Sequence, residues 1–287
     1  MIESESGMKM LSVYLERVRS ASPLVHCITN YVTVNDCANI LLACGGSPIM
    51  ADDQREAAEI TALCAGLDIN IGTLNERTIP SMFDAGKRAN QLGHPVLLDP
   101  VGAGASGLRT DTALSLLEAV RFGVIRGNAS EIKTLAGSGG ATKGVDADAA
   151  DAVQEKTLDG TVAMARALSQ RTGAVVVITG AVDLVSDADT TYLVRNGHPM
   201  MARITGSGCM LSAMTTAYLA ANPDHPLEAA AAAVCAMGLC GELAAERTLA
   251  QGGGNASMRT HLIDAVCNLD GQILDKGAKL ERYEGMQ

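Results

Sequence analysis

The stretch AVVVITGAVDLVSDADTTYLVRNG, residues 174–197, decides how the chain is read. It opens with a β-branched run, 174–179, of the kind that forms a strand buried on both faces of a parallel sheet. After Thr179 and Gly180 the pattern changes. Within 182–197, two shorter β-rich segments flank an Asp-rich turn, as in an antiparallel hairpin at a sheet edge. Upstream, the apolar runs LVHCI (24–28), GSPIM (46–50), LDINI (67–71), PVLLD (95–99) and GVIR (123–126) supply parallel partners. They alternate with helical stretches over 33–44, 54–65, 76–92, 109–120 and 157–172, and this order predicts βαβ units. The expected fold is therefore α/β: a mainly parallel central sheet with helices on both faces and an antiparallel edge hairpin.

Further helices are expected over 208–221, 226–250 and 257–276, with Gly45, Gly93 and Gly173 at C-cap positions. No fixed-period repeat or Ser/Pro-rich linker divides the chain, so a single domain over 1–287 is expected. The segment SGGATKGVDADAAD, 138–151, reads as a surface loop.

Composition narrows the function. The chain has 287 residues and a net charge of −10, with two Phe, five Tyr and no Trp. With no dense run of Lys or Arg and few rings to stack on bases, a nucleic-acid partner is not expected. The acidic N-terminus lacks the order of a secretory signal, and the apolar run 229–241 is short of the roughly 20 residues a membrane span needs. A cytoplasmic protein with no membrane partner is the expectation. The eight cysteines show neither CxxC spacing nor scaffold density, and the five histidines have no i, i+4 partner, so zinc is not expected.

In open α/β sheets ligands bind beyond the carboxyl ends of the strands. Those positions read Thr29-Asn30, Met50, Gly72-Thr73, Asp99-Pro100, Arg126-Gly127-Asn128 and Thr179-Gly180, nearly all polar or glycine. The segment GAGASG, 102–107, matches a dinucleotide fingerprint, but no acidic residue closes a second strand about 20 residues on. It reads instead as a wall of the crevice. Asp99 and Glu131 are candidate magnesium-side carboxylates, although Glu131 also suits helix capping. Arg126, a guanidinium ending an apolar strand, calls for an anion such as a nucleotide phosphate.

Downstream, TGSGCMLSA, 205–213, turns two glycines into a small-residue helix with Cys209 in its first turn. Open N–H groups there attract anions, and the same helix end lowers a thiol pKa. An ordinary glycine turn with an inert cysteine is the plain alternative.

Taken together, SPLVHCITNYVTVNDCANILLACGGSPIMADD, LLDPVGAGAS, VIRGNASEI, VVVITGAVDLVSD and TGSGCMLSA resemble the hydroxyethylthiazole kinase family, from about residue 14 to about 275. The resemblance implies a ribokinase-like fold and ATP-dependent phosphorylation of the primary alcohol of 4-methyl-5-(2-hydroxyethyl)thiazole, in thiamine salvage, with Mg2+. It also implies a homotrimer with active sites between subunits. On that basis Met50 would contact the thiazole, Gly206 would lie beside its alcohol, and Asn30 would be a substrate-side polar group. Arg126 and Thr179 would contact ATP, with Asn128 on the same side, and Asp99 and Glu131 would hold magnesium, largely through water. Cys209 stands where sugar kinases of the wider superfamily have an aspartate, and the N–H groups of Gly206 to Cys209, Gly208 included, would meet the migrating phosphoryl group. Met50 also fits as a plain core methionine. A related vitamin-precursor kinase, an ATP-dependent dehydratase and a nucleotide sensor are the competing readings.

Overall fold

The computed structural model describes residues 10–137 and 157–285. The expected surface loop 138–151 lies outside the described residues. Strands β1 (Leu24–Ile28), β2 (Ser47–Ile49), β3 (Gly66–Asn70), β4 (Val96–Asp99), β5 (Val124–Asn128), β6 (Val175–Thr179), β7 (Asp183–Ser186), β8 (Thr191–Val194) and β9 (Leu280–Arg282) form one sheet. Its order is β2-β1-β3-β4-β5-β6-β7-β8-β9. The pairs from β2 through β6 are parallel and the pairs from β6 through β9 are antiparallel. The 182–197 hairpin is present as β7 and β8, but β9, which sequence reading did not anticipate, covers its outer edge.

The helices are α1 (Ser12–Ala21), α2 (Val34–Cys44), α3 (Ala57–Leu63), α4 (Thr78–Leu92), α5 (Gly107–Ala119), α6 (Ala129–Leu135), α7 (Leu158–Thr172), α8 (Ser207–Ala221), α9 (Pro226–Ala250), α10 (Asn255–Asn268) and α11 (Gly271–Gly277). Gly45, Gly93 and Gly173 end α2, α4 and α7 in the left-handed conformation, where glycine carries no Cβ penalty. The helix expected over 257–276 is two helices. Leu269 takes extended backbone, and the Asp270 side chain accepts the Ile273 N–H to start α11. Helix α1 was also not anticipated.

Side chains alternate across a strand, so the sheet sorts its residues between two cores. Leu67, Ile69, Leu98, Ile125, Val176 and Ile178 face the core shared with α4, α5, α6 and α7. Val25, Cys27, Leu97, Val124, Val175 and Val177 face the core shared with α1, α2, α8, α9 and α10. Continuing the second set toward the strand ends brings Asn70, Asp99, Arg126 and Thr179 to the α8 side. The polar residues therefore meet the start of one helix because of strand periodicity.

Scarce aromatics leave the α8 and α9 faces to alanine, methionine and cysteine, nearly all fully buried. Helix α9, at 25 residues, is longer than the apolar run expected there and is long and apolar enough to cross a membrane, yet 83% of its most apolar window is buried inside the protein.

Candidate active site

Helix α8 begins at Gly206, which adopts φ +85° and has no side chain with which to cap the first turn. A Cβ at Gly206 would fall 2.3 Å from Thr33 Cγ2, so glycine is required both by backbone conformation and by the close approach of the β1–α2 turn. Gly208 has a second steric reason: a Cβ there would lie 2.6 Å from the Arg126 guanidinium, which rests against this turn of helix.

Behind that turn, Cys209 Sγ accepts one hydrogen bond from Asn30 Nδ2 at 3.2 Å and another from Asn70 Nδ2 at 3.2 Å. Asn30 Nδ2 also reaches Asn70 Oδ1 at 3.1 Å, and Asn70 Nδ2 donates to Asp99 Oδ2 at 2.8 Å. Asp99 Oδ2 further accepts from Ser212 Oγ at 2.8 Å and faces Arg126 Nη1 at 3.6 Å. Arg126 Nη2 donates to Thr179 Oγ1 at 2.7 Å. A continuous buried chain of polar groups thus runs from the turn after β1 to the end of β6.

The electrostatics correct one expectation. The helix end was expected to lower the Cys209 thiol, but burial, joined by the negative charge of Asp99, pushes it up to about 11, against Arg126, Thr33 and Asn30. Removing the thiolate charge from water is the largest cause of that rise. Burial likewise raises Asp99 above the ordinary carboxylate range, against Arg126, Ser212 and Asn70. Asp68, two residues before Asn70 on the same face of β3, is fully buried, and neither carboxyl oxygen has a partner. Its pKa is raised by that burial first and by Asp99 second, which favours the neutral acid.

Glu131 sits apart from this chain. Its Oε1 accepts the Gly102 N–H at 2.8 Å and its Oε2 the Asn128 N–H at 2.8 Å, while Asn128 Oδ1 accepts the Glu131 N–H at 2.9 Å. Burial, then Asp99, lifts its carboxyl to about 7. Asn128, expected beside ATP, thus has its carbonyl oxygen engaged in capping α6. Asn30, expected on the substrate side, is buried, and its Oδ1 takes the N–H groups of Val32 and Thr33 and the Thr33 hydroxyl. Met50 is half-buried at the C-terminal end of β2 and packs on the core that contains α8.

The loop 102–107 is held by Arg109, whose Nη1 donates to Val101 O at 2.6 Å and whose Nη2 donates to Gly72 O at 2.7 Å. Arg109, Asn70, Asp68 and Ser212 escaped sequence reasoning. For β3 a signal existed: LDINI read at period two puts Asp68 and Asn70 on one face, an unusual pair inside an apolar run.

A cleft of about 600 Å³ opens beside the start of α8. Arg126, Thr179, Ser207 and Gly208 line one part of it, and Met201, Leu211, Val234 and Met237 supply apolar wall.

A mostly parallel sheet ending in antiparallel strands, with a glycine-opened helix beside a cleft that holds Arg126, is the fold shared by small-molecule kinases of the ribokinase-like class. The chain belongs to the hydroxyethylthiazole kinase family, whose sequence model matches residues 15–272. Hydroxyethylthiazole kinase of Clostridium acetobutylicum is 62% identical over 96% of this chain and 100% of its own length. That of Desulfovibrio desulfuricans is 52% identical, with 96% and 100% covered. The solved structure of the Pyrococcus horikoshii hydroxyethylthiazole kinase protein superposes with a TM-score of 0.84 at 35% identity, covering 96% of this chain and 100% of that one. Pyridoxal kinase from Staphylococcus aureus, solved with ADP, shares the fold at TM-score 0.56 and 14% identity, with 77% and 87% covered.

Proposed function

We propose that this protein transfers the γ-phosphoryl group of ATP to the primary hydroxyl of 4-methyl-5-(2-hydroxyethyl)thiazole, the salvage reaction for the thiazole half of thiamine. The observation that carries this reading is the uncapped first turn of α8, with Cys209 held at its base and the Arg126 cleft at its side. ATP takes the cleft, its phosphates toward Arg126, Thr179, Ser207 and Gly208 and its base toward Met201, Val234 and Met237. The alcohol sits beside Cys209, and Met50 offers a polarisable thioether to the sulfur heterocycle.

Phosphoryl transfer passes through a loose transition state, so positioning and charge stabilisation dominate over early removal of the alcohol proton. A thiol pushed up to about 11 fits that demand. Cys209 orients the hydroxyl as a neutral group, the alcohol proton leaves late onto a phosphoryl oxygen as ADP departs, and the N–H groups of Gly206 to Cys209, with Arg126, meet the charge that develops on the phosphoryl oxygens.

Magnesium fits the acidic pair. Asp99 Oδ1 is buried with no protein partner, and Glu131 stands near enough for Asp99 to raise its pKa. Asp99 would hold the ion, with Glu131 acting through water, and the ion would neutralise charge on the ATP phosphates.

The homotrimer is part of the same proposal. Tyr31 is 56% and Val32 63% exposed on the turn that carries Asn30 and Thr33. A neighbouring subunit would cover this apolar turn and complete the site. The enzyme is assigned to the cytoplasm, without nucleic-acid or membrane partners.

Mass spectrometry of the thiazole alcohol incubated with Mg-ATP and the protein tests the reaction. Gain of one phosphate group is expected; an unchanged alcohol contradicts it. Light scattering tests the trimer, which a monomer at working concentration would refute.

A further inference from the structure

Asn70 lies at the last position of β3 and is 1% exposed, with both atoms of its carboxamide already paired inside the protein. Its carboxamide joins the two groups most involved in the reaction. Nδ2 donates to Cys209 Sγ at 3.2 Å and to Asp99 Oδ2 at 2.8 Å, which uses both amide hydrogens. Oδ1 accepts from Asn30 Nδ2 at 3.1 Å and from the Gly72 N–H at 2.9 Å, which uses both lone pairs. The network fixes which end is which. A flipped amide would set its oxygen against the Asp99 carboxylate and its NH2 against the Gly72 N–H and the Asn30 NH2, losing those three bonds. Steric fit adds to this, since a Cβ on Gly72 would stand 2.9 Å from both Asn70 Oδ1 and Asn30 Cβ.

We propose that Asn70 is a positioning residue for phosphoryl transfer, acting through Cys209. Together with Asn30 it sets two N–H donors on the inner side of the sulfur, so the sulfur is the acceptor there and the S–H bond is left to the outer side, shared between Thr33, its other hydrogen-bond partner, and the acceptor alcohol. The same amide nitrogen separates the sulfur from Asp99, holding thiol and carboxylate at a fixed spacing and keeping the carboxylate from drawing the S–H inward. Asp99 is thereby left with its unpartnered Oδ1 facing elsewhere. The proposal rests on the kinase reading given above.

A double-mutant cycle in kcat separates positioning from general structural support. Asn70→Ala is expected to lower kcat by about tenfold to a hundredfold, with KM for ATP and for the thiazole alcohol within about twofold of wild type. In a Cys209→Ala background the same substitution is expected to change kcat by no more than about twofold, because its intermediary is gone. A full loss repeated in that background, or a loss that falls on KM, overturns the proposal. If thermal melting shows that Asn70→Ala does not fold, Asn70→Ser, which sets no second carboxylate against Asp99, runs through the same cycle.

The S–H stretching band of Cys209, isolated as the infrared difference between wild type and Cys209→Ala, gives a readout that needs no turnover. It is expected to shift in the Asn70 variant, and an unmoved band overturns the positioning role. Wild-type protein that leaves the alcohol unphosphorylated defeats the kinase reading instead, and the band still decides whether Asn70 orients the thiol.

Discussion

Two helix starts in this molecule treat the same backbone problem in opposite ways. Helix α6 follows β5 directly, and its first N–H groups are closed by its own sequence: Asn128 and Glu131 form a reciprocal capping box, and the second Glu131 oxygen takes the Gly102 N–H. Helix α8 opens on a glycine, has no side-chain cap and carries no acid in its first turn. A helix whose donors are satisfied internally anchors loops; one whose donors stay open beside a guanidinium attracts an anion. The same physics therefore gives a structural joint at α6 and, on the proposed function, a phosphate-receiving end at α8. Glu131 is the lock of that joint, and on the proposed function a share in holding magnesium would come through the lone pairs left over.

The contrast can be broken most severely at Gly206. Gly206→Val must place a branched side chain at a left-handed φ and inside Thr33, so turnover is expected to fall by at least about a hundredfold. Initial rates of ADP release check this, with circular dichroism to confirm the fold. Activity near wild type would mean that the α8 start tolerates what its geometry forbids.

Cys209→Ala comes next. On the proposed function it removes the group that orients the alcohol but no donor to the phosphates, so kcat is expected to drop by about tenfold to a hundredfold while the KM for ATP stays within about twofold. Steady-state kinetics in both substrates measure the split.

At α6 the effect is smaller and of another kind. Asn128→Ala removes the cap and is expected to cost about 1 kcal/mol of stability, with a lesser change in rate. Urea titration reads it, and an unchanged midpoint would deny the lock.

The smallest effect concerns pH. Asp183, half-buried on the cleft wall, accepts the Gly180 N–H, yet desolvation raises its carboxyl to about 7, against that hydrogen bond and Arg126. The folded protein then binds a proton that the unfolded chain has released, so stability falls as pH rises from about 4 through 7. Asp183→Asn is expected to flatten that slope by less than about 1 kcal/mol, since solvent reaches the cleft. Melting temperatures across that range, without ligand, are the check; an unchanged slope would show that Asp183 ionises normally.

Much of this was legible in the sequence, for identifiable reasons. Val/Ile runs ending in polar residues marked the strands and the crevice, because a buried strand leaves water only at its ends. Asn128 and Glu131 carried a capping signature three residues apart, and TGSGC marked the α8 start. Asn70 was harder to read. Its importance depends on Cys209, 139 residues away, and on register with Asp99 across β3 and β4. The sequence points to a lowered thiol because the helix end is visible in it, whereas the burial and the Asp99 charge that raise Cys209 come from tertiary packing. Helix α1 and strand β9 were missed because both take their place from packing: α1 lies on α8 and α11, and β9 pairs with β8.

The difference between the two helix starts is tested most directly by a crystal structure with Mg-ADP, aluminium fluoride and the thiazole alcohol. The fluoride mimic of the phosphoryl group is expected within about 3 Å of the N–H groups of Gly208 and Cys209, with the alcohol beside the sulfur. A mimic seated away from α8, or an alcohol out of reach of Cys209, would contradict the account.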